Sequence, residues 1–231
     1  MSWHTNPVII GLRKVARQLG LAPILARLRR TGADYEHAFD EAMFSALRTG
    51  DTVWDVGANV GYYTKRFAEA VGSGGHVVAF EPFPATAERL RKNMLGLPNY
   101  TLRTLALGAQ AGEVVMQEGS DALGATSRIV GEASDGITVE IAAGDTLVEE
   151  GVIPMPTVLK VDTEGFELEV LRGMTSLLRS PETRAVFVEV HFGLLAERGQ
   201  PHAPAEIERL LKEKGFATRW VDPSHIVAQR D

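Results

Sequence analysis

From residue 51 onward, short runs of β-branched and apolar residues alternate with segments whose apolar positions recur at helical spacing. The runs at 52–55, 76–81, 100–107, 157–162 and 185–191 predict strands. They are apolar throughout rather than alternating, which suits strands covered on both faces of a parallel sheet. Between them, helical spacing predicts helices at 61–71, 85–95, 166–178 and 203–214. Pro84 opens the second of these and Gly215 stops the last. Regular strand–helix alternation with short connections predicts a doubly wound α/β sheet. The chain end breaks the rhythm: the β-like runs 217–221 and 226–229 are joined only by Asp222-Pro223-Ser224-His225. That turn is too short for a helical crossover, so the last two strands should be antiparallel neighbours in a mixed sheet. Runs 113–118 and 137–141 predict an extra hairpin, with 119–136 as a loop at the sheet edge.

Composition narrows the picture. The 231 residues are 45% hydrophobic, enough for one globular domain with a small appendage. We divide the chain into a helical N-terminal extension, residues 1–50, and a main domain, residues 51–231. The absence of cysteine excludes disulfides, thiolate metal sites and a cysteine nucleophile. No apolar run approaches the ~18 residues of a membrane span, and a cytoplasmic location is expected. The net charge of −6 argues against a nucleic-acid partner, as does the lack of a basic cluster with interleaved aromatics. Charge is unevenly placed: residues 1–33 hold six basic side chains, and all acids lie beyond. Val8-Ile9-Ile10 precedes those basic residues, the reverse of a signal peptide. The segment then reads as short helices packed on the main domain, as a basic stretch making weak contact with an anionic membrane surface, or as a transit peptide.

The turn after the first strand is the most informative stretch: Asp55-Val56-Gly57-Ala58-Asn59-Val60-Gly61-Tyr62. Its glycines permit close backbone approach to a ligand above a helix N-terminus. A dinucleotide fingerprint fails, because Asn59 and Tyr62 stand where its second and third glycines belong. No phosphate-binding Gly-Lys-Ser/Thr is present either. Asp55 would repel a pyrophosphate and welcome a cation such as a sulfonium. Glu81 ends the second strand, where a carboxylate accepts hydrogen bonds from ribose hydroxyls. Together these point to S-adenosyl-L-methionine as the cofactor.

Three stretches carry a family resemblance: Asp-Val-Gly-Ala-Asn-Val-Gly at 55–61, Phe-Glu-Pro-Phe-Pro at 80–84 and Lys-Val-Asp-Thr-Glu-Gly-Phe-Glu at 160–167. Over roughly residues 50–230 the chain resembles the FkbM family of class I methyltransferases, the third stretch being the specific one. The resemblance implies a Rossmann-like, seven-stranded mixed sheet. It also implies O-methylation of hydroxyls on sugars or polyketide-type natural products. Carried over, Asp55, Gly57, Asn59 and Gly61 would line the methionine end of the cofactor, with Ala58 and Tyr62 in the same turn. Glu81, followed by Pro82, would hold the ribose. The segment Thr104-Leu105-Ala106-Leu107 would flank the adenine, although the family often has Asn where Thr104 stands.

An alcohol is a poor nucleophile at neutral pH and needs a base or a metal beside the methyl donor. Asp162 and Glu164 follow the fourth strand, and Glu189 and His191 close the fifth. These four are the candidate catalytic residues, with Asp162 counted in the cofactor site as well. Glu189 and His191 lie two apart and share a strand face. The unperturbed pKa of His191 makes it the preferred base; the alternative is a partly buried histidine satisfied by a backbone partner. Asp162 could orient cofactor or substrate instead of taking a proton. Glu167 could cap the following helix, and Lys160 could pair with one of the acids. The four candidates could also hold a divalent metal such as Mg²⁺, though no ligand spacing demands one. The expected partner is a small-molecule hydroxyl substrate; oligomeric state is not legible. A rival reading is an S-adenosylmethionine-binding module, without catalysis or directed at peptides or proteins, associated with a membrane surface.

Overall fold

The computed structural model describes residues 32–117, 128–129 and 136–230. In chain order, α1 (Gly32–Ala46) precedes β1 (Thr52–Val56), α2 (Tyr62–Val71), β2 (His76–Phe80), α3 (Pro84–Asn93) and β3 (Tyr100–Arg103). Then come β4 (Ala106–Leu107), β5 (Gly112–Gln117), β6 (Arg128–Ile129), β7 (Ile137–Ala142), α4 (Gly144–Glu149) and β8 (Val158–Val161). The remainder is α5 (Glu167–Arg172), a 3₁₀ turn at Leu177–Arg179, β9 (Ala185–Glu189), α6 (Phe192–Glu197), α7 (Ala203–Glu213), β10 (Ala217–Trp220) and β11 (His225–Gln229).

The main sheet has seven strands in the order β10-β11-β9-β8-β1-β2-β3. Pairing is parallel from β9 to β3 and antiparallel for β9–β11 and β10–β11. The mixed sheet and antiparallel end expected from sequence are therefore present. The chain runs outward through β1, β2 and β3, then returns to β8 on the other side of β1. The carboxyl ends of β1 and β8 thus flank a switch point, where ligands bind in open α/β sheets.

Side-chain parity explains the layering. Trp54 and Val56 point to one face of β1, with Val78, Phe80, Leu159 and Val161, and pack against α5 and α7 through Leu168, Leu171 and Ile207. Val53, Val77, Ala79, Val158 and Phe187 point to the other face, against α1 and α2 through Phe39, Met43 and Phe67. Each fully buried Val, Leu, Ile, Phe or Met side chain among them contributes about 1.5–3 kcal/mol of transfer free energy. On α1, Asp40 accepts hydrogen bonds from Tyr63 Oη (2.8 Å) and Arg66 Nη1 (2.6 Å) of α2.

Several elements differ from the sequence expectation. The run 100–107 is two strands. β3 is the sheet edge and only half-buried. Past Arg103 the chain leaves it, burying Leu105 and Leu107 beside Phe80 while β4 pairs with β7. A second sheet, β4-β7-β5-β6, results; it contains the expected β5–β7 hairpin. The helix expected at 166–178 stops at Arg172, and the turn beyond is held by Asp145, which accepts the N–H groups of Ser176 and Leu177. The strand expected to reach 191 ends at Glu189, and His191 becomes the residue before the unforeseen α6. The predicted loop 119–136 and the basic residues 1–31 lie outside the described residues, apart from β6 and Gly136.

Candidate active site

The turn after β1 is set by backbone geometry. Gly57 (φ 79°) and Gly61 (φ 87°) occupy the left-handed region, which costs other residues about 1–2 kcal/mol. At Gly57 there is also no room: a Cβ would lie 1.8 Å from the Asp162 carbonyl oxygen. The turn is clamped from the neighbouring strand. Gly57 and Ala58 donate their N–H groups to the Phe80 carbonyl at 3.1 and 3.0 Å. Glu81 Oε2 accepts the Asn59 N–H at 2.9 Å, and Glu81 Oε1 accepts that of Phe83 at 3.0 Å. One carboxylate thereby fixes both walls of the crevice.

A cavity open to solvent lies there. Its floor and apolar wall are Val56, Phe80, Phe83, Leu105 and Leu107, and its polar rim is Asn59, Glu81, Asp162, Thr163 and Glu164. Among the described residues, the only two non-glycines with positive φ are Asn59 and Glu164, both at 50°. Both line this cavity, the kind of place where backbone strain is retained for function. Asn59 Oδ1 and Thr163 Oγ1 are buried without a hydrogen-bond partner at the same rim.

Beside the rim, carboxylates surround one imidazole. His191 Nδ1 donates to Glu167 Oε1 at 2.8 Å, and that oxygen also accepts the Gly165 N–H at 2.9 Å. His191 Nε2 faces Glu164 Oε2 at 3.3 Å and Asp162 Oδ1 and Glu189 Oε1 at 3.8 Å each. Burial alone would depress the imidazole pKa. The hydrogen bond to fully buried Glu167 and the charges of Glu167, Asp162 and Glu164 outweigh it, pushing His191 from 6.5 up to about 10. Glu164 moves from 4.5 up to about 7, chiefly through burial; His191 opposes this and the neighbouring acids reinforce it. Asp162, Glu164 and His191 each bring one ligand atom within 4.8 Å of the others, a set that could hold a divalent ion.

Of the residues singled out in the sequence, Asn59, Gly57, Glu81, Pro82, Ala106, Asp162 and Glu164 line this cavity. Asp55, Ala58, Gly61, Tyr62 and Thr104 do not. Asp55 is fully buried beneath the turn, accepting from Thr64 Oγ1 at 2.6 Å and lying 3.3 Å from Lys160 Nζ. Its charge is answered from within the protein, so it is not aimed at a cationic ligand. Tyr62 points outward, 63% exposed. Thr104 sits outside the apolar wall, 3.4 Å from Arg91 Nη2. His191 and Glu189 meet as expected, but the partner of the imidazole is the Glu167 side chain rather than a backbone group, and its acidic surroundings raise its pKa. Sequence reading missed the apolar wall residues Met116 and Phe166 and the Asp222–His225 pair; only the strand register brings that pair to Glu189.

Residues 55–217 match the family model described as methyltransferase FkbM domain. The chain is similar to the hexuronic acid methyltransferase AglP of Haloferax volcanii, 36% identical over 169 residues, covering 73% of this chain and 64% of that protein. The chain thus spans less than two thirds of that relative. It is also similar to the 31-O-demethyl-FK506 methyltransferase FkbM of Streptomyces tacrolimicus, 27% identical over 216 residues, covering 80% and 76% of the two. Among solved structures, precorrin-6y C5,15-methyltransferase of Geobacter metallireducens superposes with a TM-score of 0.50 at 13% identity, covering 85% of this chain and 87% of that one, a likeness of fold alone.

Proposed function

The chain belongs to the FkbM methyltransferase family, and on that footing we propose that it transfers a methyl group from S-adenosyl-L-methionine to a hydroxyl of a sugar or polyketide-type natural product. The observation that carries this is the meeting of Glu81, Asp162 and Glu164 on one cavity at the switch point of the sheet. The residues fit the donor. Glu81, pinned by two backbone N–H groups, presents a carboxylate suited to a ribose diol. Phe80, Leu105 and Leu107 offer an apolar wall for an adenine. The unpartnered Asn59 Oδ1 and Thr163 Oγ1 suit the polar methionine end. The sugar class draws support from the hexuronic acid methyltransferase relative.

When bound, the donor supplies an electrophilic methyl group on a sulfonium. The protein supplies alignment and a place for the hydroxyl proton. His191, already protonated at neutral pH, does not take that proton; its charge holds the acids around it together. Glu164, with a pKa raised to about 7 and a place on the cavity wall, is the proton acceptor. Asp162, on the same wall, orients the acceptor hydroxyl. A metal-assisted form of the reaction, in which His191 would give up its proton to ligate the ion beside Asp162 and Glu164, rests on the convergence of those three groups; a chelator that abolishes turnover would favour it.

Calorimetry with S-adenosyl-L-methionine tests the donor assignment. Glu81→Ala should abolish binding, and unchanged affinity would contradict it. A labelled-methyl screen against glycosides and natural-product alcohols tests the acceptor class.

A further inference from the structure

A second histidine, outside the cavity, is built into the same acidic network. β9 and β11 pair antiparallel with Glu189 opposite His225. Asp222 precedes that strand in a tight turn. Its Oδ1 accepts the N–H groups of Ser224 (2.7 Å) and His225 (2.9 Å), which already satisfies the turn. Its Oδ2 is surplus to that purpose and accepts from His225 Nδ1 at 2.6 Å. The imidazole is 8% exposed and covered by Phe39 of α1, ring centroids 4.1 Å apart. Its remaining nitrogen, Nε2, faces Glu189 Oε2 at 3.4 Å. The other oxygen of Glu189 faces His191 Nε2. Glu189 therefore stands between two imidazoles, one clamped by Asp222 and the other by Glu167.

We propose that His225, held by Asp222 and covered by Phe39, is a positioning residue for the transferase: it fixes the Glu189 carboxylate so that the acidic ring around His191 Nε2 is closed. This rests on the function proposed above. A half-exposed glutamate has three side-chain torsions and would otherwise sample several rotamers. A donor on a strand paired in fixed register removes that freedom.

The test uses His225→Phe, which keeps a ring against Phe39 and removes both nitrogens, and His225→Gln, which keeps a donor near the Nε2 position. Three quantities are read: kcat and KM for the acceptor, donor affinity by calorimetry, and the titration midpoint of the Glu189 carboxyl by carbon NMR. His225→Phe should lower kcat by about tenfold, the scale of one lost charge-assisted hydrogen bond. Donor affinity should stay within about twofold, because His225 lies away from the donor-side wall. The Glu189 midpoint should rise, and His225→Gln should recover most of both effects. Asp222→Asn, which keeps the acceptor of the turn, should move both quantities in the same direction and guards against a misfolded phenylalanine variant. Wild-type kcat with an unmoved Glu189 midpoint in His225→Phe would overturn the proposal, as would a glutamine variant no better than the phenylalanine one. Should the wild-type chain bind no donor, the functional reading fails, and the Glu189 midpoint alone still decides the place of His225.

Discussion

The ammonium of Lys160 lies 3.3 Å from the carboxylate of Asp55, with both side chains buried under the β1 turn. Lys160 also reaches Asp162 Oδ2 at 3.3 Å and is held protonated by the two acids despite its burial. Removing one partner leaves an uncompensated buried charge. Lys160→Met should lower unfolding stability by about 3–5 kcal/mol, and adding Asp55→Asn should restore part of it. Urea unfolding of both variants checks this; a double variant weaker than the single one would be the contrary outcome.

Gly57 joins two constraints that no side chain meets, a positive φ and contact with the Asp162 carbonyl. Gly57→Ala should cost about 2–4 kcal/mol through displacement and backbone strain. Because the displaced atoms belong to the cavity wall, donor affinity should fall with it. Stability and calorimetry measured together would show one falling without the other if the turn were merely structural.

Glu164 and His191 should separate kinetically. Glu164→Gln removes the proton acceptor and should lower kcat by about 10²–10⁴-fold with donor affinity intact. His191→Gln removes the cation that the acids surround and leaves Glu167 without its ionic partner. It should therefore lose stability as well as turnover. A fully active Glu164→Gln enzyme would move the base elsewhere.

Stability should decline toward alkaline pH. Glu164 is raised from 4.5 to about 7, His225 from 6.5 to about 9 and His191 from 6.5 to about 10. Each group binds its proton more tightly when folded, so its contribution is complete below the unfolded value and is lost as pH rises through the folded one. The decline should begin with Glu164 between pH 4.5 and 7 and continue with the histidines to about pH 10. On the acid side, Glu189 and Asp222 are held below their ordinary values of 4.5 and 3.8. Their contribution is present above those values and is lost as pH falls. Thermal unfolding across pH 4–10 checks the shape, and His191→Gln should flatten its alkaline limb.

What the sequence revealed was local. The β1 turn, Glu81 at the end of β2 and the acids after β8 each lie within one strand–turn unit, so spacing alone placed them. The antiparallel end was legible because four residues cannot form a crossover. The role of Asp55 was misjudged because Lys160, its partner, lies 105 positions later and meets it only through the pairing of β1 with β8. His191 as base was read from its free pKa, which Glu167, Asp162 and Glu164, all in the single stretch after β8, raise in the folded chain. His225 carried no signal at all, since Asp-x-x-His is an ordinary turn until the register sets Glu189 opposite it.

The small second sheet adds to the cavity from outside the main sheet, with Ala106 and Leu107 from β4 and Met116 from β5. Gly57, Glu81 and Asp162 stand at the ends of main-sheet strands, whereas Met116 reaches the same cavity from β5. Under the proposed reaction, exchanging the β5–β7 hairpin would change the Met116 side of the cavity while the main-sheet turns that carry Gly57, Glu81 and Asp162 stay in place. Such chimaeras would offer a direct route to new alkylation patterns.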